Sequence, residues 1–294
     1  MKPVLINPYR EAGNSWIRGN LHVHSAEFSF HCAKVPLQEG VRRYHDEAGV
    51  RFLAITDHDH VTDLSVIRTA FPDMVFLEGF EHSRAENMLF IGATVPPLNE
   101  LPLAEAALRA DGLLTMVCHP ERIAGETHWT PAMVQAMRPC PLGVEIYNGH
   151  YGTPAMLARG RNPLYTSFWD RLLTMGLRLW GFANDDFHYP EDFNNAFTMA
   201  QAESLSASAI LEALKAGRCY GSTGLLLEKI EESKGRIQVA TASSCTGRFV
   251  GPGGLVLREA EGRVFEFTVT DEAYIRFESK GPAGRLFLQP MFRA

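Results

Sequence analysis

The stretch Leu21-His22-Val23-His24-Ser25 is the point from which the rest of the chain can be interpreted. Residues 16–21 predict a short strand, and side chains alternate along a strand, so His22 and His24 share one face. The residues from Ser25 to Lys34 show no periodicity and are typical of a loop. Both imidazoles are therefore expected at the carboxyl end of a strand, directed at one point. Such a pair suits a metal ion, although two ordinary histidines remain an alternative.

Four further apolar runs end in side chains that can bind metals. They are residues 52–56 before Asp57 and His58, 74–77 before Glu81, 113–118 before His119, and 179–183 before Asp186 and His188. In barrels of alternating strands and helices, catalytic groups lie at this end of the strands. Five such strand ends favour one shared site over scattered, unrelated histidines.

Composition narrows the class of protein. A chain of 294 residues with 46% hydrophobic and 21% charged residues is typical of a folded globular protein with a large core. A net charge of −6 gives no basic footprint for nucleic acid, so no nucleic-acid partner is expected. Five cysteines without paired spacing predict no disulfide framework. Neither a signal pattern nor a long apolar run occurs, so the sequence predicts a cytoplasmic protein without membrane contact.

The chain is predicted to have two parts. Strands alternate with helices up to about Lys215, which predicts an α/β fold with a mainly parallel sheet closed, or nearly closed, into a barrel of about seven units. Segments 235–241 and 264–270 instead alternate apolar and polar residues, the pattern of an antiparallel sheet with one buried face. We therefore predict a barrel over residues 1–223 and a small β-rich appendage over 224–294, used for packing or for homo-oligomerisation.

Five motifs resemble, in order, those of the polymerase and histidinol phosphatase (PHP) superfamily. They are His22-Val23-His24, Thr56-Asp57-His58, Gly79-Phe80-Glu81, Cys118-His119-Pro120 and Asp186-Phe187-His188. Residues 180–186 and 219–224 look most like the branch that includes carbaryl-hydrolase-like metallohydrolases. The resemblance implies a distorted seven-stranded β/α (TIM-like) barrel that binds two or three divalent ions and acts as a phosphoesterase or related hydrolase.

The resemblance also implies three groups of ligands. One metal would be bound by His22, His24, Glu81 and Asp186, a second by Glu81 and His119, and a third by His58, His188 and a loop residue. The chain departs from the family in that loop, where Ser29 and Phe30 occupy the usual ligand positions, so His31 is the candidate. Asn87 stands where relatives often have histidine, and His150 is the candidate substitute in the second group.

Two further residues are candidates for the catalytic machinery. Asp57 is expected to support the site through hydrogen bonds. Arg122 could bind a phosphate oxygen in bidentate fashion, and an ordinary surface arginine is the alternative. Histidine and carboxylate ligands leave zinc, manganese and iron open.

The predicted function is hydrolysis of a small phosphoester by a metal-activated hydroxide. One alternative is a carbamate or carboxylic-ester hydrolase with the same centre, and another is a non-catalytic metal-binding or regulatory domain. Specificity is expected in the loops 124–130 and 151–166.

Overall fold

A computed structural model of the chain describes residues 4–9, 16–92, 98–123 and 128–294. The strands within these ranges are β1 (Leu5–Ile6), β2 (Trp16–Asn20), β3 (Phe52–Ile55), β4 (Val75–His82), β5 (Met88–Ile91), β6 (Leu114–Val117), β7 (Gly143–Asn148), β8 (Trp180–Asn184), β9 (Phe197–Gln201), β10 (Cys219–Ser222), β11 (Leu227–Ser233), β12 (Arg236–Val250), β13 (Val256–Thr268), β14 (Tyr274–Gly281), β15 (Gly284–Leu288) and β16 (Met291–Arg293). The α-helices are α1 (Leu37–Asp46), α2 (Ser65–Ala70), α3 (Leu103–Leu108), α4 (Pro131–Ala136), α5 (Pro154–Ala158), α6 (Thr166–Thr174) and α7 (Ala207–Lys215).

The strands that carry the predicted ligands lie side by side in the order β2-β3-β4-β5-β6-β7-β8. Most neighbours are parallel, whereas β5 runs antiparallel between β4 and β6. All four residues of β3, of β5 and of β6 are buried, because these short apolar runs are covered on both faces. Parallel pairing brings the carboxyl ends of β2, β3, β4, β6 and β8 to one edge of the sheet.

The sheet does not stop at the predicted barrel. Strand β9 pairs antiparallel with β2, β10 pairs with β9, and β15 pairs with β10. Thirteen strands thus form one continuous path that runs from the N-terminal half into the C-terminal strands. The described pairing does not confirm a closed seven-stranded barrel, because β9 occupies the edge of β2 that β8 would need for closure. The domain boundary at residue 223 stays a prediction.

Closure between the first and last strands of the ligand-bearing set is local. Just beyond β2 and β8, Val23 and Phe187 form an isolated parallel bridge. The amide of His24 donates to the carbonyl of Phe187 at 3.1 Å, and the amide of Phe187 donates to the carbonyl of His22 at 3.2 Å. This bridge lies between the two histidines of the first motif and brings them beside Asp186 and His188.

The C-terminal strands form an antiparallel unit with a core of their own. The long strands β12 and β13 pair with each other, and β12 also pairs with β11 and β14. Val239, Phe249 and Phe277 belong to this core, whereas Tyr274 and Phe287 pack in the cluster around Trp169 of α6. A buried ion pair joins the two regions, since Arg276 Nη2 of β14 lies 2.6 Å from Asp170 Oδ2 of α6.

Local sequence explains the helix boundaries. Pro36 precedes α1, and Gly49 follows it with a φ of 62°, a left-handed conformation that favours glycine. Thr130 accepts a hydrogen bond from the Met133 amide at the start of α4. None of the helices in the described residues combines the length and the apolar character needed to cross a membrane.

Candidate metal centre

Four buried ligand atoms converge at the edge where β2, β4 and β8 end. Nε2 of His22 lies 3.4 Å from Oε2 of Glu81 and 3.1 Å from Oδ1 of Asp186. Nε2 of His24 lies 3.3 Å from the same Glu81 oxygen and 3.2 Å from the same Asp186 oxygen. We name this group, His22, His24, Glu81 and Asp186, site A.

The chemistry of site A fits a metal ion. None of its four converging atoms has a hydrogen-bond partner among the described residues, although all four are shielded from solvent. Buried polar atoms are normally paired, because leaving one unpaired costs about 1–3 kcal/mol. Ligands about 2.1 Å from a central ion lie about 3.0–3.4 Å from one another in tetrahedral or octahedral geometry. The distances in site A fall in that range.

The charges of site A match the same interpretation. Burial opposes ionisation of Glu81, but His58 and His22 outweigh it and hold the pKa of this carboxyl well below its usual value. Burial likewise opposes ionisation of Asp186, and His22 and His188 hold its pKa well below the usual range. Burial, reinforced by His188 and His58, lowers the pKa of His24 well below normal, so this imidazole is neutral. Ionised carboxylates and a neutral imidazole are the forms that bind metals. At His22, burial is outweighed by Asp186 and Glu81, which raise the pKa of this imidazole well above normal, so a metal ion must displace its proton.

Glu145 of β7, which the sequence analysis did not identify, contacts the ring nitrogen of His22 that faces away from site A. Its Oε1 lies 3.2 Å from Nδ1 of His22, and its Oε2 accepts the backbone amide of His119 at 3.0 Å. Asn148 donates to Glu145 Oε2 and to Asp186 Oδ2, both at 3.0 Å. A carboxylate behind a histidine fixes which ring nitrogen faces the metal and raises its basicity. The signal of Glu145 in the sequence is a charged residue inside the apolar run of residues 143–147.

His58 and His188 form a second group beside site A, which we name site B. Ligand atoms of His24, His58 and His188 all lie within 4.8 Å of one another. His58 Nδ1 lies 2.6 Å from Oγ of Ser83, and His188 Nδ1 lies 2.8 Å from the carbonyl of Asp186. These contacts leave Nε2 of both rings available to a metal ion. His58 Nδ1 also lies 2.9 Å from Glu81 Oε2, so Glu81 contacts both sites.

Nearby charges raise the pKa values of the two imidazoles of site B. Burial disfavours the charged form of His58, but Glu81 and Cys32 outweigh it and raise the pKa of His58 to about 10. Burial is also outweighed at His188, where Asp186 and Cys32 raise the pKa to about 9. A metal ion must displace these protons, so its binding to site B is expected to weaken as the pH falls.

The loop after β2 brings two side chains to site B. Ligand atoms of His31, Cys32 and His58 lie within 4.8 Å of one another. The His31 side chain is exposed, whereas Cys32 is half-buried. Burial opposes ionisation of Cys32, but hydrogen bonds with His188 and His58 lower the pKa of the thiol to about 7. The sequence named His31 here and missed Cys32.

His119 lies on the other side of Glu81. Its Nε2 is 3.1 Å from Glu81 Oε1, and the side-chain Nδ2 of Asn87 donates to the same oxygen at 2.9 Å. This Glu81 oxygen therefore accepts hydrogen bonds from the protein, whereas the oxygen that faces site A has close contacts with imidazoles but no hydrogen-bond partner among the described residues. Nη1 of Arg122 donates to Asn87 Oδ1 at 3.4 Å, which places the guanidinium at the rim of the centre.

His150 is hydrogen-bonded to Asp192 rather than to His119. Its Nδ1 is 2.9 Å from Oδ1 of Asp192, and its ring centroid is 5.2 Å from that of His188. Ligand atoms of His150, His188 and Asp192 lie within 4.8 Å of one another. The structure therefore brings His150 towards site B, and Asp192 was not predicted.

Asp57 anchors the loop after β2. Its carboxylate accepts the Ser25 amide at 2.7 Å and the hydroxyls of Ser25, Ser29 and Thr62 at 2.8, 2.7 and 2.6 Å. Oγ of Ser29 in turn lies 3.4 Å from Nδ1 of His24 and accepts the His58 amide at 3.1 Å. Asp57 thus connects the loop to a ligand of each site.

Comparisons with known proteins give a likeness in fold. No family model matches the chain, and no curated protein matches it. A crystal structure from Bacteroides vulgatus, described as a two-domain protein containing a predicted PHP-like metal-dependent phosphoesterase, has a TM-score of 0.59 and 17% identity, over 100% of this chain and 99% of that one. An amidohydrolase from Chromobacterium violaceum with bound sulfate and no metal has a TM-score of 0.43 and 16% identity, over 58% of this chain and 88% of that one. The lesion-specific endonuclease from Pyrococcus furiosus has a TM-score of 0.42 and 14% identity, over 69% of this chain and 56% of that one. The chain therefore shares the fold of the Bacteroides vulgatus protein along its whole length.

Proposed function

We propose that this chain is a PHP-type, metal-dependent hydrolase that cleaves a small phosphoester. The observation that carries the proposal is the convergence of four buried, unpaired ligand atoms in site A, from His22, His24, Glu81 and Asp186. Structural ion pairs satisfy their own polar atoms, whereas these atoms satisfy one another poorly and suit a shared cation. The fold of the Bacteroides vulgatus protein and the order of the five motifs support the same function.

Each group of ligands has a proposed role. Site A would hold one ion, site B would hold a second through His58 and His188, and Glu81 lies between them. When bound, divalent ions such as zinc, manganese or iron lower the pKa of water to about 7 and offset the charge of a phosphoester. His119 and Asn87 fix the outer oxygen of Glu81, and Glu145 fixes His22.

Arg122 and Asp57 are proposed to support the reaction without binding metal. Arg122 is half-buried at the rim, and a guanidinium there can bind phosphate oxygens in bidentate fashion. Asp57 holds the loop that carries Ser29, which contacts ligands of both sites. We infer a small-molecule substrate, since the ligands are buried at the end of the strands.

Metal content and turnover test the proposal together. Elemental analysis of protein reconstituted with zinc or manganese should give about two ions per chain, and phosphate release should be measured over a panel of phosphomonoesters and diesters. Asp186→Ala should lower metal content and reduce turnover by about 100-fold or more, since it removes an anionic ligand. Asp111→Ala, at an exposed position, is the matched control.

The outcomes separate the candidate functions. Unchanged metal content and activity in Asp186→Ala would show that site A is not part of the active site. Faster turnover of aryl carbamates or carboxylic esters than of phosphoesters would favour the carbaryl-hydrolase-like assignment, which rests on residues 180–186 and 219–224. Full metal occupancy without turnover of any ester would favour a non-catalytic metal-binding domain.

A further inference from the structure

Cys32 lies where a ligand of site B would be needed. Its sulfur shares a group within 4.8 Å with ring nitrogens of His31 and His58. The other imidazole of site B adjoins this group, since ligand atoms of His58 and His188 lie within 4.8 Å of one another and the amide of Lys34, two residues after Cys32, donates to the carbonyl of His188 at 2.8 Å. His31, by contrast, is exposed, and its ring centroid is 5.2 Å from that of His58. The sulfur is therefore within ligand distance of His58 and adjoins the group that contains His188.

The backbone fixes the position of this sulfur. The amides of Cys32 and Ala33 donate to the carbonyl of Ser29 at 2.9 and 2.7 Å. Ser29 is held by Asp57 through its hydroxyl, and the amide of Lys34 donates to the carbonyl of His188 at 2.8 Å. The turn is thus attached at both ends to the residues that form the metal centre, which directs Cys32 towards it.

We propose that the thiolate of Cys32 is the third protein ligand of site B, with His58 and His188, and that this site therefore takes a thiophilic divalent ion. The inference rests on the proposed function, because it presumes that site B binds metal. Thiolate and imidazole together select zinc, cobalt, cadmium or iron, whereas magnesium and manganese prefer oxygen ligands. Binding transfers the thiol proton to solvent and forms one metal–sulfur bond.

Cobalt reports on a sulfur ligand directly. Metal-free, full-length protein is titrated with Co²⁺ under reducing conditions, and the near-ultraviolet band of cobalt–thiolate charge transfer is recorded. The wild-type protein should develop this band as the second equivalent binds. Cys32→Ser should lose the band, and His31→Ala should keep it.

Two controls make the assignment specific to Cys32. Cys140→Ser changes a half-buried cysteine that none of the described metal-binding groups includes, and it should retain the full band. Competition with a chelating dye should show that Cys32→Ser weakens zinc binding at the second equivalent by about 10-fold or more. The affinity for Mn²⁺ should change much less. Circular dichroism establishes that each variant is folded.

The failures of the two proposals are distinguishable. Two equivalents of bound cobalt without the band, or a band that persists in folded Cys32→Ser, would overturn the Cys32 assignment and leave the metal centre intact. A band that disappears in His31→Ala but persists in Cys32→Ser would assign the loop ligand to His31. No cobalt binding by the wild-type protein would overturn both the metal centre and the thiolate ligand.

Discussion

Glu145→Gln perturbs the centre while leaving every proposed metal ligand in place. Glu145 is fully buried, and glutamine has nearly the same shape but no charge. The substitution therefore tests whether the carboxylate behind His22 positions site A. We expect weaker metal binding at site A in a protein that remains folded.

The magnitude follows from the partners of the two carboxylate oxygens. Oε1 lies 3.2 Å from His22 Nδ1 and accepts from Asn184 Nδ2 at 3.3 Å, and Oε2 accepts from the His119 amide and Asn148 Nδ2, both at 3.0 Å. Whichever oxygen becomes an NH₂ group, two donors of the protein then face a donor. Loss of such a supporting carboxylate weakens metal binding by about 10–100-fold, which corresponds to about 1.4–2.7 kcal/mol.

The assay is a competition for zinc between the protein and a chelating dye, read at the tighter equivalent. The matched control is Glu47→Gln, which makes the same chemical change at an exposed position of the surface. A thermal melt of the metal-free proteins reports the separate cost of the unpaired donors, about 1–3 kcal/mol for each. Zinc affinity within twofold of wild type in folded Glu145→Gln would refute the positioning role.

Three further predictions concern parts of the chain outside the ligand set. Asp57→Asn should reduce turnover by about 10–100-fold, because it weakens the four hydrogen bonds that hold the loop beside both sites; unchanged kcat would contradict this. Asp170→Asn should lower the free energy of unfolding in urea by about 3 kcal/mol, because Arg276 stays buried and keeps Glu278 as its remaining charged partner; a loss below about 1 kcal/mol would contradict it. Burial, with nearby charges, lowers the pKa of His128 from 6.5 to about 4, so the unfolded state takes up its proton first and stability should fall as the pH drops from about 6.5 to 4. His128→Gln should flatten the pH dependence of the urea midpoint in that window, and an unchanged slope would contradict the assignment.

The convergence of the strand ends could be predicted because it depends on local pattern. Period-2 alternation places His22 and His24 on one face, and short apolar runs mark buried strands. Parallel pairing then brings these ends together without any further information. Residues 87–93 likewise predict a strand that returns from the loop after Glu81, and the structure gives β5, Met88–Ile91, there. The predicted end at Ala93 lies outside the described residues.

The overall sheet could not be predicted in the same way, because its pairing is long-range. Strand β9 has no periodicity that distinguishes an antiparallel partner of β2 from another barrel strand. The contact of β10 with β15 joins residues more than 60 positions apart, such as Gly221 and Phe287. Neither segment carries a sequence pattern that identifies the other as its pairing partner, so the extension of one sheet into the C-terminal region was not predicted.

Supporting residues of the site were missed for a related reason. Glu145 appears in sequence as a charged residue in an apolar run, and its role emerges when β7 is placed behind His22. Cys32 lies in a loop without periodicity, where the position of a side chain depends on a turn at Ser29 that a long-range hydrogen bond to Asp57 holds in place. Ligands on strand ends are visible in sequence, whereas residues that position them become visible through packing.

The two sites are consequently held in place by different parts of the chain. Site A takes its ligands from the ends of β2, β4 and β8, with Glu145 of β7 behind His22, so strand pairing and buried carboxylates hold its geometry. Site B depends on the loop after β2, whose conformation is set by Asp57 through Ser29 and whose end is tied to His188. Glu81 contacts ligands of both sites, so a change there must disturb both at once. A change at Cys32, in contrast, should alter the identity or affinity of the ion at site B while site A keeps its own.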